Sequence, residues 1–175
     1  MIRLLFLIHR YLGIALGLVV TLWCLSGFVM MYVQYPDLDE KERLAGLESL
    51  KFETCCRLPT DFGNIVLDRF RVEMFDSRPV LRLVDGAYQY VIDLLTGEYL
   101  ASFYEAETQR SAAIAAKEFG LSGQPRLLGV IEQDQWTVYP AYSSHRPLYH
   151  FVMNDSPGTE FYVSSTTGEV VQLTT

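Results

Sequence analysis

A run of 23 residues without a charge, residues 11–33, constrains this chain more than any other feature of its sequence. As an α-helix it would extend about 35 Å, which exceeds the roughly 30 Å hydrocarbon core of a bilayer. The sequence therefore predicts a transmembrane helix within residues 1–34. A cleaved signal peptide is the competing interpretation, but the run is longer than the apolar core of a signal peptide and no small-residue cleavage site closes it.

The charges on either side of this run predict its orientation. Arg3 and Arg10 precede it, the first 34 residues contain no acid, and the other flank carries mixed charge. By the positive-inside rule the N-terminus lies in the cytoplasm, so residues 35–175 face outward, which in a bacterial inner membrane means the periplasm. Those residues hold the remaining 12 basic and all 21 acidic side chains, a formal charge of −9 that disfavours binding to nucleic acid or to anionic lipid.

Small residues gather on one face of the predicted membrane helix. At 100° per residue, four of them fall within about 80° of one another: Gly13, Gly17, Cys24 and Gly27. His9 lies at the cytoplasmic end of the same stripe. Gly13 and Gly17 form the spacing that lets two membrane helices approach closely, so the stripe predicts a partner helix from a second copy or another membrane subunit. The alternative is that these glycines are incidental, because glycine is common in membrane helices.

The sequence divides into four parts: residues 1–34, a connector at 35–58, and two folded units at 59–105 and 106–175. Short β-rich runs between turn residues predict antiparallel strands in both units, including one at 135–142, and Asp85-Gly86 predicts a hairpin turn between two strands of the first unit. Residues 106–120 predict a helix that ends at Gly120, residues 60–68 a shortened helix in the first unit, and residues 39–47 a short helix in the connector. The expected fold class is α+β, with a helix packed on an antiparallel sheet in each unit.

The two units also resemble each other in sequence. RPVLRLV at residues 78–84 corresponds to RPLYHFV at residues 146–152, and Thr96-Gly97-Glu98 corresponds to Thr167-Gly168-Glu169. Each Thr-Gly pair predicts a turn, because glycine readily takes a positive φ. Asp93 of the first copy is replaced by Ser164 in the second, which weakens the case for a functional acid at this position.

Two stretches resemble a known family. YVIDLLTGEYL (residues 90–100) and FYVSSTTGEVV (residues 161–171) resemble the end of a PepSY domain, and LIHRYLGIALGLVVTLWCLSGFVMMY (residues 7–32) is similar to the first helix of the PepSY-associated transmembrane family. The resemblance implies a bacterial inner-membrane protein with two tandem PepSY-like units in the periplasm. In larger members it implies further helices that carry haem and pass electrons to ferric-siderophore or related acceptors, and there the histidine matching His9 is a haem ligand.

The rest of the sequence contains little recognisable chemistry. It has no nucleophile elbow, Walker loop, dinucleotide fingerprint, HExxH or CxxC, so we expect no enzyme. His145 and His150 would point to opposite faces of a regular strand, which disfavours a shared metal. Cys55 and Cys56 would need a strained ring to bond to each other, and an intermolecular disulfide is the alternative. We expect no cofactor on this chain alone; haem b would need a ligand from a partner helix in addition to His9.

Three functions remain open from the sequence. The favoured one is a single-pass, non-catalytic accessory subunit of a larger membrane redox or metal-handling complex. The second is a haem-b electron carrier, or one segment of a split ferric-siderophore reductase-type protein. The third is a periplasmic regulator of a peptidase, because PepSY units resemble parts of thermolysin-type propeptides. The expected partners are lipid and either another membrane subunit or a second copy.

Overall fold

The structure is a computed structural model that describes residues 2–33, 37–53 and 55–175, and it separates into two compact units, Met1–Tyr35 and Pro36–Thr175. The described part of the first unit is a helix, α1 (Ile2–Met30), of 29 residues. By length and composition α1 could cross a membrane. The hydroxyl group of Thr21 donates to the carbonyl of Gly17 at 2.8 Å, so this polar side chain is satisfied within the helix itself.

The second unit is α+β, and we call it the α+β domain. Its elements in chain order are α2 (Glu40–Ala45), β1 (Arg69–Phe75), β2 (Arg78–Asp85), β3 (Tyr88–Asp93), β4 (Glu98–Leu100), α3 (Glu105–Glu118), β5 (Arg126–Ile131), a 3-10 helix (Pro140–His145), β6 (Leu148–Val152), β7 (Glu160–Ser164) and β8 (Val170–Thr174). The strands form two four-stranded antiparallel sheets, in the orders β1-β2-β3-β4 and β5-β6-β7-β8. The sequence repeat therefore has a counterpart in strand order.

The C-terminal end of α3 is set by hydrogen bonds at Gly120 and Leu121. Gly120 has a φ of 73°, and its backbone N–H donates to the carbonyl of Lys117 at 2.9 Å. The next N–H, of Leu121, donates to the carbonyl of Ala116 at 2.8 Å, which completes a Schellman motif. The helices predicted at residues 106–120 and 39–47 are confirmed as α3 and α2.

The largest hydrophobic core lies between α3 and the second sheet. Alanines on one face of α3, among them Ala112 and Ala115, pack against Phe151, Phe161 and Val163. Small side chains on the helix bring its backbone close to the sheet, so the aromatic side chains fill the space between the two layers. Burial of each of these aromatic side chains stabilises the domain by roughly 2 kcal/mol.

Non-helical residues, and not a helix such as α3, pack on the apolar face of the first sheet. The predicted helix at 60–68 is wrong: those residues, all of them described, form turns and bends. Asp61 explains part of the difference, because its carboxylate accepts from the N–H of Gly63 at 2.7 Å and holds a turn that competes with a helix. Cys55 and Ile65 pack on the apolar face of the sheet instead. Of the two arrangements considered for Cys55 and Cys56, the structure has the bond between these two adjacent residues.

The predicted strand at 135–142 is also wrong. The carboxylate of Asp134 accepts from the backbone N–H groups of Trp136 and Thr137 at 2.9 and 3.1 Å, which makes a tight turn where the strand was expected. Pro140 then begins the 3-10 helix, a position that suits its fixed φ and missing N–H. The alternating residues that predicted a strand are therefore outweighed by the turn at Asp134 and by Pro140.

Candidate functional site

The two Thr-Gly turns contain the same hydrogen bonds. In the first turn, Asp93 Oδ1 accepts from the N–H groups of Leu95 and Thr96 at 2.7 and 3.4 Å. The N–H of Gly97 donates to the Asp93 carbonyl at 2.7 Å, and Gly97 has a φ of 79°. This turn connects β3 to β4.

The second turn repeats this pattern between β7 and β8. Ser164 Oγ accepts from the N–H groups of Thr166 and Thr167 at 3.2 and 3.1 Å, and the N–H of Gly168 donates to the Ser164 carbonyl at 2.9 Å. Gly168 has a φ of 69°. Asp93 and Ser164 thus make equivalent hydrogen bonds, and either residue type can cap such a turn.

The surroundings of the two turns differ sharply. Glu98 of the first turn is exposed, whereas Glu169 of the second is only 6 % exposed. The second turn lies against the first sheet, so closely that a Cβ added to Gly168 would come within 2.7 Å of ring atoms of both Phe75 and Phe103. The turn therefore carries Glu169 into the space between the two sheets.

Glu169 belongs to a buried group of charges that we call the ionic cluster. Its members are two carboxylates and three guanidinium groups: Glu73, Glu169, Arg43, Arg71 and Arg82. Glu73 accepts from Arg82 Nε and, at 3.0 Å, from Arg43 Nη1. Glu169 accepts from Arg71 Nη2 at 2.6 Å, and Arg43 and Arg82 lie 3.6 and 3.7 Å from its oxygens. Arg82 also donates to the Thr167 carbonyl at 2.5 Å, so one side chain joins the first sheet to the second turn.

Strand register explains why these groups lie together. Arg71 on β1 is directly opposite Arg82 on β2, and Glu73 lies two residues along β1 on the same face. Two like charges in opposite positions repel each other, so this sheet face requires carboxylates nearby. Glu73 supplies one from the first sheet and Glu169 supplies the other from the second.

The cluster shifts the pKa values of its members and neighbours. Burial alone would raise the pKa of Glu169, but the charges of Arg82 and Arg71 outweigh burial and lower this pKa to about 2. Burial lowers the pKa of His145, which lies beside the cluster with its Nδ1 3.4 Å from Thr167 Oγ1. For Arg43, burial favours the neutral form, yet its hydrogen bonds to Glu40 and Glu73 raise the pKa further. Glu169 and Arg43 therefore stay ionised at neutral pH.

These shifts predict two stages of acid destabilisation. As the pH falls below about 6.5, unfolded His145 takes up a proton more readily than the folded, buried side chain, so the unfolding free energy decreases. Between about pH 4.5 and pH 2, protonation of unfolded Glu169 removes a further contribution of roughly 3 kcal/mol. Chemical denaturation of the full chain in mild detergent over this pH range measures both stages.

Two glutamine variants serve as a matched pair for the second stage. Glu169→Gln should reduce the decrease in unfolding free energy below pH 4.5, whereas Glu98→Gln, at the equivalent and exposed position of the first turn, should leave the decrease unchanged. Equal pH profiles for Glu169→Gln and the wild type would contradict the assignment to Glu169.

A cleft of about 240 Å³ opens beside the ionic cluster, and we call it the arginine cleft. Three arginines line it, Arg43, Arg69 and Arg71, together with Glu169 and His145. Gln89 also faces the cleft, and its Nε2 donates to Ser144 Oγ at 3.2 Å in the 3-10 helix. The cleft is thus bounded by the first sheet, the second turn and the 3-10 helix.

A second polar cluster lies on the face of the second sheet away from α3. The Tyr162 hydroxyl contacts two carboxylates, Asp134 Oδ2 at 2.8 Å and Glu160 Oε2 at 2.9 Å. Burial and these two hydrogen bonds raise the pKa of Tyr162, so the phenol stays protonated. His150 stacks on the Tyr162 ring and its Nε2 lies 3.0 Å from Glu160. These contacts fasten the turn at Asp134 to the sheet.

The site residues predicted on α1 lie on open helix surface. A Cβ added to Gly13, Gly17 or Gly27 would meet nothing within 4 Å among the described residues. Cys24 is a free thiol and is exposed, as is His9. In the second unit, His145 and His150 belong to separate clusters, the first beside the arginine cleft and the second against Glu160.

Reasoning from the sequence did not identify the ionic cluster. Its signal is a charged residue inside an apolar strand: Glu73 lies between Val72 and Met74, and Arg82 lies between Leu81 and Leu83. A charge at such a position is buried and needs a partner. Glu73 and Arg82 are partners only nine residues apart, but the pairing of Arg71 with Glu169 cannot be read from local sequence, because these two residues are 98 positions apart.

Comparison with known proteins gives no relative for this arrangement: no protein-family model, no curated protein and no solved structure matches the chain. Within residues 2–33, 37–53 and 55–175, no group of three or more His, Cys, Asp or Glu side chains is placed to hold a metal ion. The chemistry that the described site offers is therefore charge pairing and hydrogen-bond donation by arginine.

Proposed function

We propose that this protein is an accessory subunit of a larger bacterial inner-membrane complex concerned with redox or metal handling. In this proposal α1 spans the bilayer with its N-terminus in the cytoplasm, and the α+β domain lies in the periplasm as two tandem PepSY-like units. The observation that carries the proposal is the open glycine face of α1. Gly13, Gly17 and Gly27 leave room along one side of an apolar helix, and such room lets the backbone of another membrane helix approach closely.

The organisation of the α+β domain supports a non-catalytic role. The buried carboxylates Glu73 and Glu169 are both engaged by arginines that join the two sheets. Tyr162 is held neutral and links a loop to its sheet. These ion pairs and hydrogen bonds hold the sheets and loops of the domain together, and a rigid domain can present a defined surface to a partner protein.

The two sheets support the assignment of two PepSY-like units. Both are antiparallel, both have consecutive strand order, and each has an equivalent turn with glycine at positive φ. The first unit departs from the expected form, because residues 60–68 form turns and not a helix on the sheet. The proposed pair therefore consists of one unit covered by a helix, α3, and one covered by non-helical residues that include Cys55 and Ile65.

Filling the glycine face tests the proposed role of α1. We expect Gly13→Leu combined with Gly17→Leu to reduce association with a membrane partner, or with a second copy, at least tenfold, because the added side chains hold the helices apart. Native mass spectrometry of the protein extracted in mild detergent measures the associated species, and the same spectra report whether residues 1–33 remain on the mature chain.

The control places two leucines on the other side of the helix. Ala15→Leu combined with Val19→Leu has the same four-residue spacing, roughly opposite to the glycine stripe, and should leave association unchanged. Unchanged association in the glycine variant, equal loss in both variants, or a mature chain that lacks α1 would each contradict the proposal.

A further inference from the structure

The arginine cleft concentrates arginines in a strongly acidic part of the chain. The cleft and the adjoining ionic cluster contain four of them, Arg43, Arg69, Arg71 and Arg82, together with Asp37, Glu73 and Glu169, and Glu40 pairs with Arg43 nearby. Residues 35–175 as a whole carry a formal charge of −9. Arginines and carboxylates are therefore equal in number here, in contrast to the acidic surroundings, and the arginines coincide with a cavity.

Some of the arginine donors are not used inside the fold. The side chain of Arg69 makes no hydrogen bond or salt bridge with the residues that the structure describes, although it lines the cleft. Arg71 binds Glu169 through Nη2, its Nε is buried without a partner, and its side chain remains 24 % exposed. The two arginines lie on the same face of β1, two residues and so about 7 Å apart, so the guanidinium of Arg69 and the remaining donors of Arg71 are close together.

We propose that the arginine cleft binds an oxyanion, the carboxylate or phosphate group of a small ligand, between Arg69 and Arg71. A guanidinium group donates two parallel N–H bonds to such a group, and two guanidinium groups can share one phosphate or carboxylate. The volume of about 240 Å³ is many times the 10–15 Å³ that a single water needs, so the cleft has room for a small organic anion. The ligand would accept from the guanidinium of Arg69 and from the remaining donors of Arg71, and would leave Glu169 paired with Arg71.

Such a group has two sources, a soluble small molecule or the headgroup of a membrane lipid, and isothermal titration calorimetry separates them. The full chain is purified in nonionic detergent without phospholipid and titrated in turn with inorganic phosphate, tricarballylate and dihexanoyl phosphatidic acid. Binding of phosphate or tricarballylate assigns a soluble ligand, and binding confined to phosphatidic acid assigns a lipid headgroup. Binding of none of the three would overturn the proposal.

Two glutamine variants locate the binding. Arg69→Gln should weaken binding at least tenfold without affecting folding, because the Arg69 side chain is exposed and makes no hydrogen bond or salt bridge with the described residues. Arg126→Gln is the matched control, since Arg126 is the exposed first residue of β5 as Arg69 is of β1. It should bind as the wild type does. Equal affinity of Arg69→Gln and the wild type, or equal loss in both variants, would show that any binding lies elsewhere and would refute the site.

Discussion

Replacing Arg82 with methionine is expected to lower the unfolding free energy of the α+β domain by about 3–5 kcal/mol. Arg82 is 4 % exposed and binds Glu73, which is equally buried, so methionine leaves a carboxylate in the interior with only Arg43 to balance it. The Thr167 carbonyl loses a donor as well. Urea denaturation of the full chain in detergent, followed by tryptophan fluorescence, measures the change.

A surface ion pair provides the control. Arg110 contacts Asp76 at 2.9 Å, but the two side chains are 46 and 26 % exposed, so Arg110→Met should cost less than about 1 kcal/mol. Adding Glu73→Leu to Arg82→Met should recover part of the loss, because the unpaired buried charge is removed. The cluster would not have the proposed energetic role if Arg82→Met and Arg110→Met destabilised the domain equally.

Gly168→Ala is expected to destabilise the α+β domain by about 2–4 kcal/mol. The alanine would take a left-handed conformation, and its Cβ would overlap the rings of Phe75 and Phe103 at 2.7 Å. Both rings are buried and contact each other edge to face at 4.9 Å, so neither can move aside cheaply. The same denaturation measurement applies.

Gly86→Ala separates the two causes of this effect. Gly86 also has a positive φ, 57°, but a Cβ there meets nothing within 4 Å in the described structure. Its substitution should therefore cost only the conformational strain, about 1 kcal/mol. A Gly168→Ala variant no less stable than Gly86→Ala would mean that the close contact of the second turn with the first sheet does not contribute to stability.

Local signals predicted much of the α+β domain. The Asp85-Gly86 pair fixes the hairpin between β2 and β3, and Gly120 fixes the end of α3, because each acts within a few residues of itself. The predictions at residues 60–68 and 135–142 were wrong because nearby backbone N–H groups donate to the side chains of Asp61 and Asp134. These local turns outweighed the pattern of residue types that predicted a helix and a strand.

The candidate site could not be predicted in the same way. The ionic cluster depends on how one sheet docks on a turn of the other, and that docking brings together residues from β1, β2, α2 and the second turn. Both copies of the Thr-Gly-Glu motif are visible in the sequence, but the sequence does not distinguish one copy from the other. Only the packing distinguishes Glu98, which is exposed, from Glu169, which is buried.

The location of Glu169 means that the two repeats cannot be separated or exchanged independently of each other. Arg71 belongs to the first repeat and its carboxylate partner, Glu169, belongs to the second, so each repeat expressed alone would lack one member of this ion pair. A truncation library cut between residues 105 and 106 should yield insoluble fragments, and a chimera that borrows only one repeat from another protein would inherit half of a salt-bridge network.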